Sequence, residues 1–349
     1  MRVVVTGATG NVGTSVVAAL AGDGGVDQIV ALARRAPMRE LNGAEFVAAD
    51  VTESELVPIF RGADVVVHLA WLIQPGRDES VTSRVNLLGS RRVFESVVAA
   101  KVPALVYASS VGAYSPGPKD RFVDESWPTD GIATSFYSRH KAAVERELDR
   151  LEQEQPSLRV ARLRPGLIFK RDAATEIRRL FVGPFLPRAL LRSGLVPFTP
   201  DVPGLRFQAV HSDDVGDAYR RAVLSDSAGA FNVAAEPAIG TAELAELLDA
   251  PPRNVPASVL RRAAAVSFAM RLQPVEPGWL DIALSVPLMS TGRARHELGW
   301  EPRQTATEAI RELMIGMREG ADDQTPPLAR STSGPARVRE LLTGLGARQ

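Results

Sequence analysis

Arg2-Val3-Val4-Val5-Thr6-Gly7-Ala8-Thr9-Gly10-Asn11-Val12-Gly13 is the stretch whose reading decides the fold. An unbroken run of Val reads as a strand buried on both faces. It passes into glycines spaced G-x-x-G-x-x-G and then into an apolar helix carrying Val16, Val17 and Leu20. Glycine is required where a turn is tight, where backbone must approach a pyrophosphate, and where a helix packs closely on a strand. Free backbone N–H groups at the positive end of that helix offer a seat for phosphates. A glycine triplet alone is common in structural turns; here it follows a strand and opens a helix, the context nucleotide binding demands. Gly7, Thr9, Gly10, Asn11, Val12 and Gly13 are the expected dinucleotide contacts of this turn.

Working outward, β-rich runs recur at Arg2–Thr6, Gln28–Ala33, Glu45–Ala49, Asp64–Leu69, Ala104–Ser109 and Leu158–Leu163. Helical patterns at Gly13–Ala21, Glu79–Lys101 and Thr134–Glu154 lie between them. Such alternation predicts right-handed βαβ units and an α/β, Rossmann-type doubly wound parallel sheet. Returns to the sheet are expected at Phe207–Val210 and Phe231–Ala235. The dinucleotide-binding domain is accordingly placed at 1–165 plus about 205–235. A smaller, mostly helical substrate-binding lobe is placed at about 166–204 plus 236–319. Its Phe181, Phe185, Leu186, Leu190, Leu191 and Phe198 read as an apolar pocket, or equally as a helix core or partner surface. The Pro/Gly/Ser-rich segment from Gly320 on predicts a flexible tail over 320–349.

Composition excludes several function classes. The 41 Lys and Arg balance the 41 Asp and Glu, so no excess charge recruits nucleic acid or an anionic membrane. With no cysteine there is no disulfide, thiolate catalysis or zinc–thiolate site. His68, His140, His211 and His296 are scattered without metal-ligand spacing, and Asp213-Asp214 read as caps of the following helix rather than metal ligands. No leader pattern precedes the first strand and no apolar run spans a bilayer, so a cytoplasmic location is expected.

The second strand reads Ile29-Val30-Ala31-Leu32-Ala33-Arg34-Arg35, with Ala33 where a site for NAD usually places an acid. A carboxylate there would repel a 2′-phosphate, whereas arginine binds one through paired charged hydrogen bonds. Arg34 and Arg35 point to NADP(H), with NAD(H) as the alternative.

Tyr137-Ser138-Arg139-His140-Lys141 falls in a helix, so Tyr137 and Lys141 share one face. A phenol of ordinary pKa ~10 needs a neighbouring positive charge to work as an acid–base group near neutrality. Y-x-x-x-K alone is more often a surface pair. It gains weight from Val106-Tyr107-Ala108-Ser109-Ser110, whose hydroxyls end a strand at the ligand edge of a parallel sheet.

Together these motifs resemble the extended short-chain dehydrogenases/reductases, the epimerase/dehydratase-like group, over residues 1 to about 318. Ser109-Ser110-Val111-Gly112-Ala113-Tyr114 matches that family's serine-to-tyrosine stretch and selects Ser110 as the catalytic hydroxyl. The resemblance assigns Asp50 and Val51 to the adenine side, and Leu69 and Ala70, after His68, to the cofactor's edge. Asn86 would support the lysine through a helix kink and bound water, and Pro165 of Arg164-Pro165-Gly166 would border the cofactor. Tyr137 would be the proton donor, Ser110 the hydrogen-bond donor to the substrate oxygen, and Lys141 both a depressant of the tyrosine pKa and a ribose ligand. It further implies a homodimer built on the helices at 79–101 and 134–154.

Two departures bear on substrate. Trp71 follows His68-Leu69-Ala70 where many relatives carry a small residue, and reads equally as a substrate wall or a core aromatic. The Arg-Asp pair common before Val-His in sugar-nucleotide enzymes is missing from Phe207-Gln208-Ala209-Val210-His211, with Arg206 displaced by one residue. The expectation is an NADP(H)-dependent enzyme interconverting a carbonyl and an alcohol on a small to medium, apolar molecule. The alternatives are a nucleotide-sugar epimerase or dehydratase holding NAD tightly, and a non-catalytic dinucleotide sensor.

Overall fold

Val3 and Val5 point to one side of the first strand and Val4 to the other, and all three are completely buried. Alternation of side chains along a strand therefore requires cover on both faces, and the computed structural model, which describes residues 1–73, 79–178, 196–270 and 275–329, supplies it. β1 (Arg2–Thr6), β2 (Gln28–Ala33), β3 (Glu45–Ala48), β4 (Val65–His68), β5 (Ala104–Ala108), β6 (Arg159–Pro165) and β7 (Gly229–Val233) form one sheet. Its spatial order is β7-β6-β5-β4-β1-β2-β3, all neighbours parallel. The order reverses beside β1, which opens a crevice at the carboxyl ends of β1 and β4.

One face carries α1 (Asn11–Ala21) and α4 (Ser212–Leu224), with Val16, Val17, Leu20, Val215 and Tyr219 packed on Val3 and Val5. The other carries α2 (Ser90–Ala99) and α3 (Phe136–Glu154), with Val93, Phe94, Val144 and Leu148 against Val4, Val66 and Leu105. Leu298, Trp300 and Ile310 join the first face, and the indole of Trp300 donates to Asp214 O at 2.8 Å. Residues 292–319, including α5 (Ala306–Glu319), thus pack with the sheet.

The expected return to the sheet at Phe207–Val210 does not occur. Ala209–His211 instead pairs in parallel with Leu167–Phe169 as a separate two-stranded sheet. Both edges of β6 are filled, by β5 and β7, and Leu167–Phe169, just past the end of β6, is the partner Ala209–His211 finds. The tail expected to be flexible from Gly320 is tied down over 321–329, where Thr325 and Leu328 are fully buried. Residues 330–349, and Phe181, Phe185, Leu186, Leu190 and Leu191 of the expected apolar pocket, lie outside the described residues. Phe198 lies under the guanidinium of Arg253, 5.7 Å from the ring centre. Among the described residues no helix is long and apolar enough to cross a membrane.

Candidate functional site

The carboxyl ends of β1, β2, β3 and β4 enclose a cleft lined by Thr6, Gly7, Thr9, Gly10, Arg34, Arg35, Asp50, Val51, Leu69, Ala70 and Trp71. Its floor demands glycine. Gly7 has φ +73°, and a Cβ there would lie 2.7 Å from Ala70 N. A Cβ on Gly13 would lie 2.2 Å from Gly7 O, so this glycine lets the helix start tight against the turn. Gly10 N donates to Gly7 O at 3.1 Å, while Leu69 N and Ala70 N donate to the backbone and hydroxyl oxygens of Thr6 at 3.1 and 3.3 Å.

Nine of the predicted cofactor contacts line this cleft: Gly7, Thr9, Gly10, Arg34, Arg35, Asp50, Val51, Leu69 and Ala70. Asn11, Val12, Gly13, Pro165, Tyr137 and Lys141 do not. Asn11 Nδ2 donates to Ile168 O at 3.3 Å, and Pro165 ends β6. Asp50 Oδ1 accepts from Thr52 N and Oγ1 at 2.8 and 2.6 Å, holding its own turn. The cleft fits a dinucleotide in that its glycine turn has no room for side chains and two guanidiniums, Arg34 and Arg35, follow β2 at its edge.

Beside the cleft, α3 places Tyr137 and Lys141 one turn apart under the end of β5. Ser110 caps the short turn Val111–Ala113, accepting from Gly112 N at 3.0 Å, and its hydroxyl lies beside the Tyr137 phenol. Gly112 is required here too, since a Cβ would lie 2.8 Å from the Tyr137 ring. The ring of Tyr137 stacks on Trp279, 4.8 Å between centres, and meets the edge of Trp71 at 6.1 Å. Trp279 carries no signal in the sequence; only the fold brings its helix, Gly278–Ser285, to this spot.

Burial raises the Tyr137 phenol to about 12, with the Ser110 hydrogen bond opposing. Burial also holds Lys141 well below the ordinary lysine range, with Glu145 opposing. In the protein by itself, burial is what governs the Tyr137 phenol. The ammonium donates to Ala108 O at 2.6 Å and sits 3.4 Å from the centre of the Trp71 ring, but 5.9 Å from that of Tyr137. Its charge is thus spent on a carbonyl and a π face rather than on the phenol. Asn86 is completely buried in a π-helical segment, Arg84–Gly89. Its side chain accepts from Leu72 N at 2.8 Å and donates to Leu72 O at 3.0 Å, so it clamps the turn that carries Trp71.

Behind the phenol lies a buried ionic group. Glu145, four residues after Lys141 on the same face, is fully buried and receives Arg164 through two bonds of 2.9 Å and Arg162 at 2.9 Å. Ser109 donates to the same carboxylate, so the two adjacent serines divide their work between Glu145 and the tyrosine. Arg164 also donates to Tyr114 Oη at 3.0 Å, and Tyr114 donates to Asn232 at 2.6 Å, linking β5, α3, β6 and β7. The i, i+4 spacing from Lys141 was the one sequence signal for Glu145.

The histidines are structural. His68 is buried between Thr6 at 2.7 Å and Ser90 at 3.0 Å, and burial drives its pKa down to about 3, aided by Lys141. His140 Nε2 lies 3.2 Å from Glu79. The cap expected from Asp213-Asp214 is instead His211, whose Nδ1 accepts from Asp213 N at 3.2 Å. Both aspartates lie inside the first turn of α4, with Asp213 accepting from Ser15 and Asp214 from Gln304 N. Among the described residues no group of three or more His, Asp or Glu side chains is arranged to hold a metal.

Comparison with known proteins accords with this geometry. The uncharacterized protein Rv2047c of Mycobacterium tuberculosis (strain ATCC 25618 / H37Rv) is 27% identical over 321 residues, covering 91% of this chain and 30% of that protein. The chain therefore spans about a third of the length of that relative. L-arabinose 1-dehydrogenase (NAD(P)(+)) of Haloferax volcanii (strain ATCC 29605) is 39% identical over 110 residues, 31% of this chain and 41% of that one. The structure of UDP-glucose 4-epimerase from Thermus thermophilus in complex with NAD superposes with a TM-score of 0.66 at 24% identity, covering 91% and 99% of the two chains, and shows a shared fold. The model of the NAD dependent epimerase/dehydratase family matches residues 3–234, from the first strand to the end of β7, and the chain belongs to that family.

Proposed function

We propose that the protein is an NADP(H)-dependent oxidoreductase that interconverts a carbonyl and an alcohol on a small to medium, apolar substrate. The observation that carries this reading is the meeting of Ser110, Tyr137 and Lys141 at the end of β5, beside a cleft whose β2 end presents Arg34 and Arg35. When bound, the nicotinamide supplies or accepts the hydride. Tyr137 gives its phenolic proton to the substrate oxygen in reduction and takes one back in oxidation. Ser110, beside that phenol, donates to the same oxygen as charge develops on it. Lys141 sets its amine under the site against the Trp71 ring, and Asn86 keeps the Trp71 turn in place above it. Trp71 and Trp279 flank the phenol with aromatic surface, which favours an apolar substrate over a heavily hydroxylated one.

A second reading, a nucleotide-sugar epimerase or dehydratase, is favoured by the likeness to the Thermus UDP-glucose 4-epimerase. Fluorescence titration with NADPH and NADH, after assay for copurified nucleotide, separates the two. A tenfold preference is about 1.4 kcal/mol, less than a bidentate arginine–phosphate contact supplies. Reversible binding that favours NADPH by more than about tenfold is expected. Retained NAD or an NADH preference refutes the NADP reading and puts the epimerase first. On a ketone panel, Tyr137→Phe is expected to lose about 100-fold or more of the rate while keeping NADPH affinity; undiminished turnover would dismiss Tyr137 as the acid.

A further inference from the structure

We propose that segment 321–329 is part of the dinucleotide site, a strap whose Pro326–Pro327 pair walls the cleft and whose Asp323–Arg39 ion pair holds it there, slowing cofactor release. This rests on the family's dinucleotide binding, and not on the choice of NADP or on carbonyl chemistry. Pro326 and Pro327 line the cleft together with Gly10, Arg34 and Arg35.

The strap is anchored at both ends. Gly320, at φ +68°, ends α5 and turns the chain back. Thr175 Oγ1 donates to Ala321 O at 2.7 Å. Arg39, in the loop after β2, donates through Nε and Nη2 to the two oxygens of Asp323, both at 2.8 Å, and Met38 N donates to Gln324 O at 2.8 Å. The Asp323 side chain is only 12% exposed, so this paired contact is shielded from solvent screening. Beyond the prolines, Leu328 N and Ala329 N bond Thr325 O, and Leu328 is fully buried. Two prolines between fixed ends make a stiff wall, because each ring locks its own φ. A bound molecule behind such a wall leaves only as fast as the wall yields, so the effect falls on the dissociation rate.

The test is stopped-flow release of prebound NADPH, and separately of NADH, chased with excess oxidised dinucleotide, using the full chain. Asp323→Ala is expected to speed release of both by about fivefold or more, and the exchange Arg39→Asp with Asp323→Arg to bring it back within about twofold of the original. Pro326→Gly with Pro327→Gly leaves the ion pair intact and is expected to speed release as well; it decides the matter should Asp323→Ala fail to fold. Unchanged release in the variants overturns the proposal. Slower release or tighter binding also overturns it, since the segment would then be a plug. Release rates of either dinucleotide test the strap even if the NADP preference or ketone reduction fails.

Discussion

Replacing Glu145 by Gln removes the only charge that faces the buried guanidiniums of both Arg162 and Arg164 among the described contacts of its carboxylate. Burial by itself would raise the carboxyl pKa, but Arg164, Arg162 and the Ser109 hydroxyl outweigh it and hold the group at about 2, against 4.5 for an ordinary glutamate. That drop corresponds to about 3 kcal/mol of stability, because each tenfold change in a proton equilibrium is about 1.4 kcal/mol. Removing one partner from a buried ionic group costs about 3–5 kcal/mol in general, in agreement. A depressed carboxylate contributes fully above its unfolded pKa and loses that contribution as pH falls towards the folded value. The gap between the unmodified protein and Glu145→Gln should therefore be flat above about pH 5 and shrink to about 1.4 kcal/mol at pH 3. Urea denaturation followed by circular dichroism at pH 7, 5 and 3 reads it directly. A loss under about 1 kcal/mol at pH 7, or a gap that does not shrink between pH 5 and 3, would refute this account of the network.

Lys141→Met should stabilise the fold at pH 7 by about 1 kcal/mol or more while abolishing turnover. Burial lowers the Lys141 pKa, so below 10.5 the unfolded chain binds the extra proton and the native lysine costs stability; the advantage of Met should fade as pH approaches 10.5, and a less stable variant at pH 7 would contradict this. Gly13→Ala places a Cβ 2.2 Å from Gly7 O and 2.7 Å from Ala8 C, both backbone. It should cost about 1–3 kcal/mol in urea unfolding and weaken NADPH binding by about tenfold or more in titration, whereas unaltered binding would show that the turn does not shape the phosphate seat.

The strand–glycine turn–helix and the Val-rich runs were legible in the sequence because their causes are local. Completely buried parallel strands have to be apolar on both faces, and a turn with no room for a Cβ has to be glycine. The likeness of Ser110, Tyr137 and Lys141 to a known pattern was legible for a similar reason: helical spacing and a strand end determine which side chains share a face. What those side chains do to one another was not. Lys141 faces Trp71 and Ala108 O rather than the Tyr137 ring, and burial governs the pKa of both, a consequence of cover supplied by residues distant in sequence.

Only the tertiary structure placed Trp279 against Tyr137, put Arg162 and Arg164 on Glu145, and paired Ala209–His211 with Leu167–Phe169 outside the main sheet. Segment 321–329 makes the point most sharply. It belongs to the stretch Gly320–Pro335, whose polar, Pro/Gly/Ser-rich composition predicts a loose tail, because composition reports on how much apolar surface a segment can bury by itself. Its order comes from one bidentate ion pair and two buried side chains, to which Arg39 contributes from 284 residues away in the chain. Local propensity is written in neighbouring residues and can be read there. Partners brought together by a sheet order and a closing helix exist only once the chain has folded.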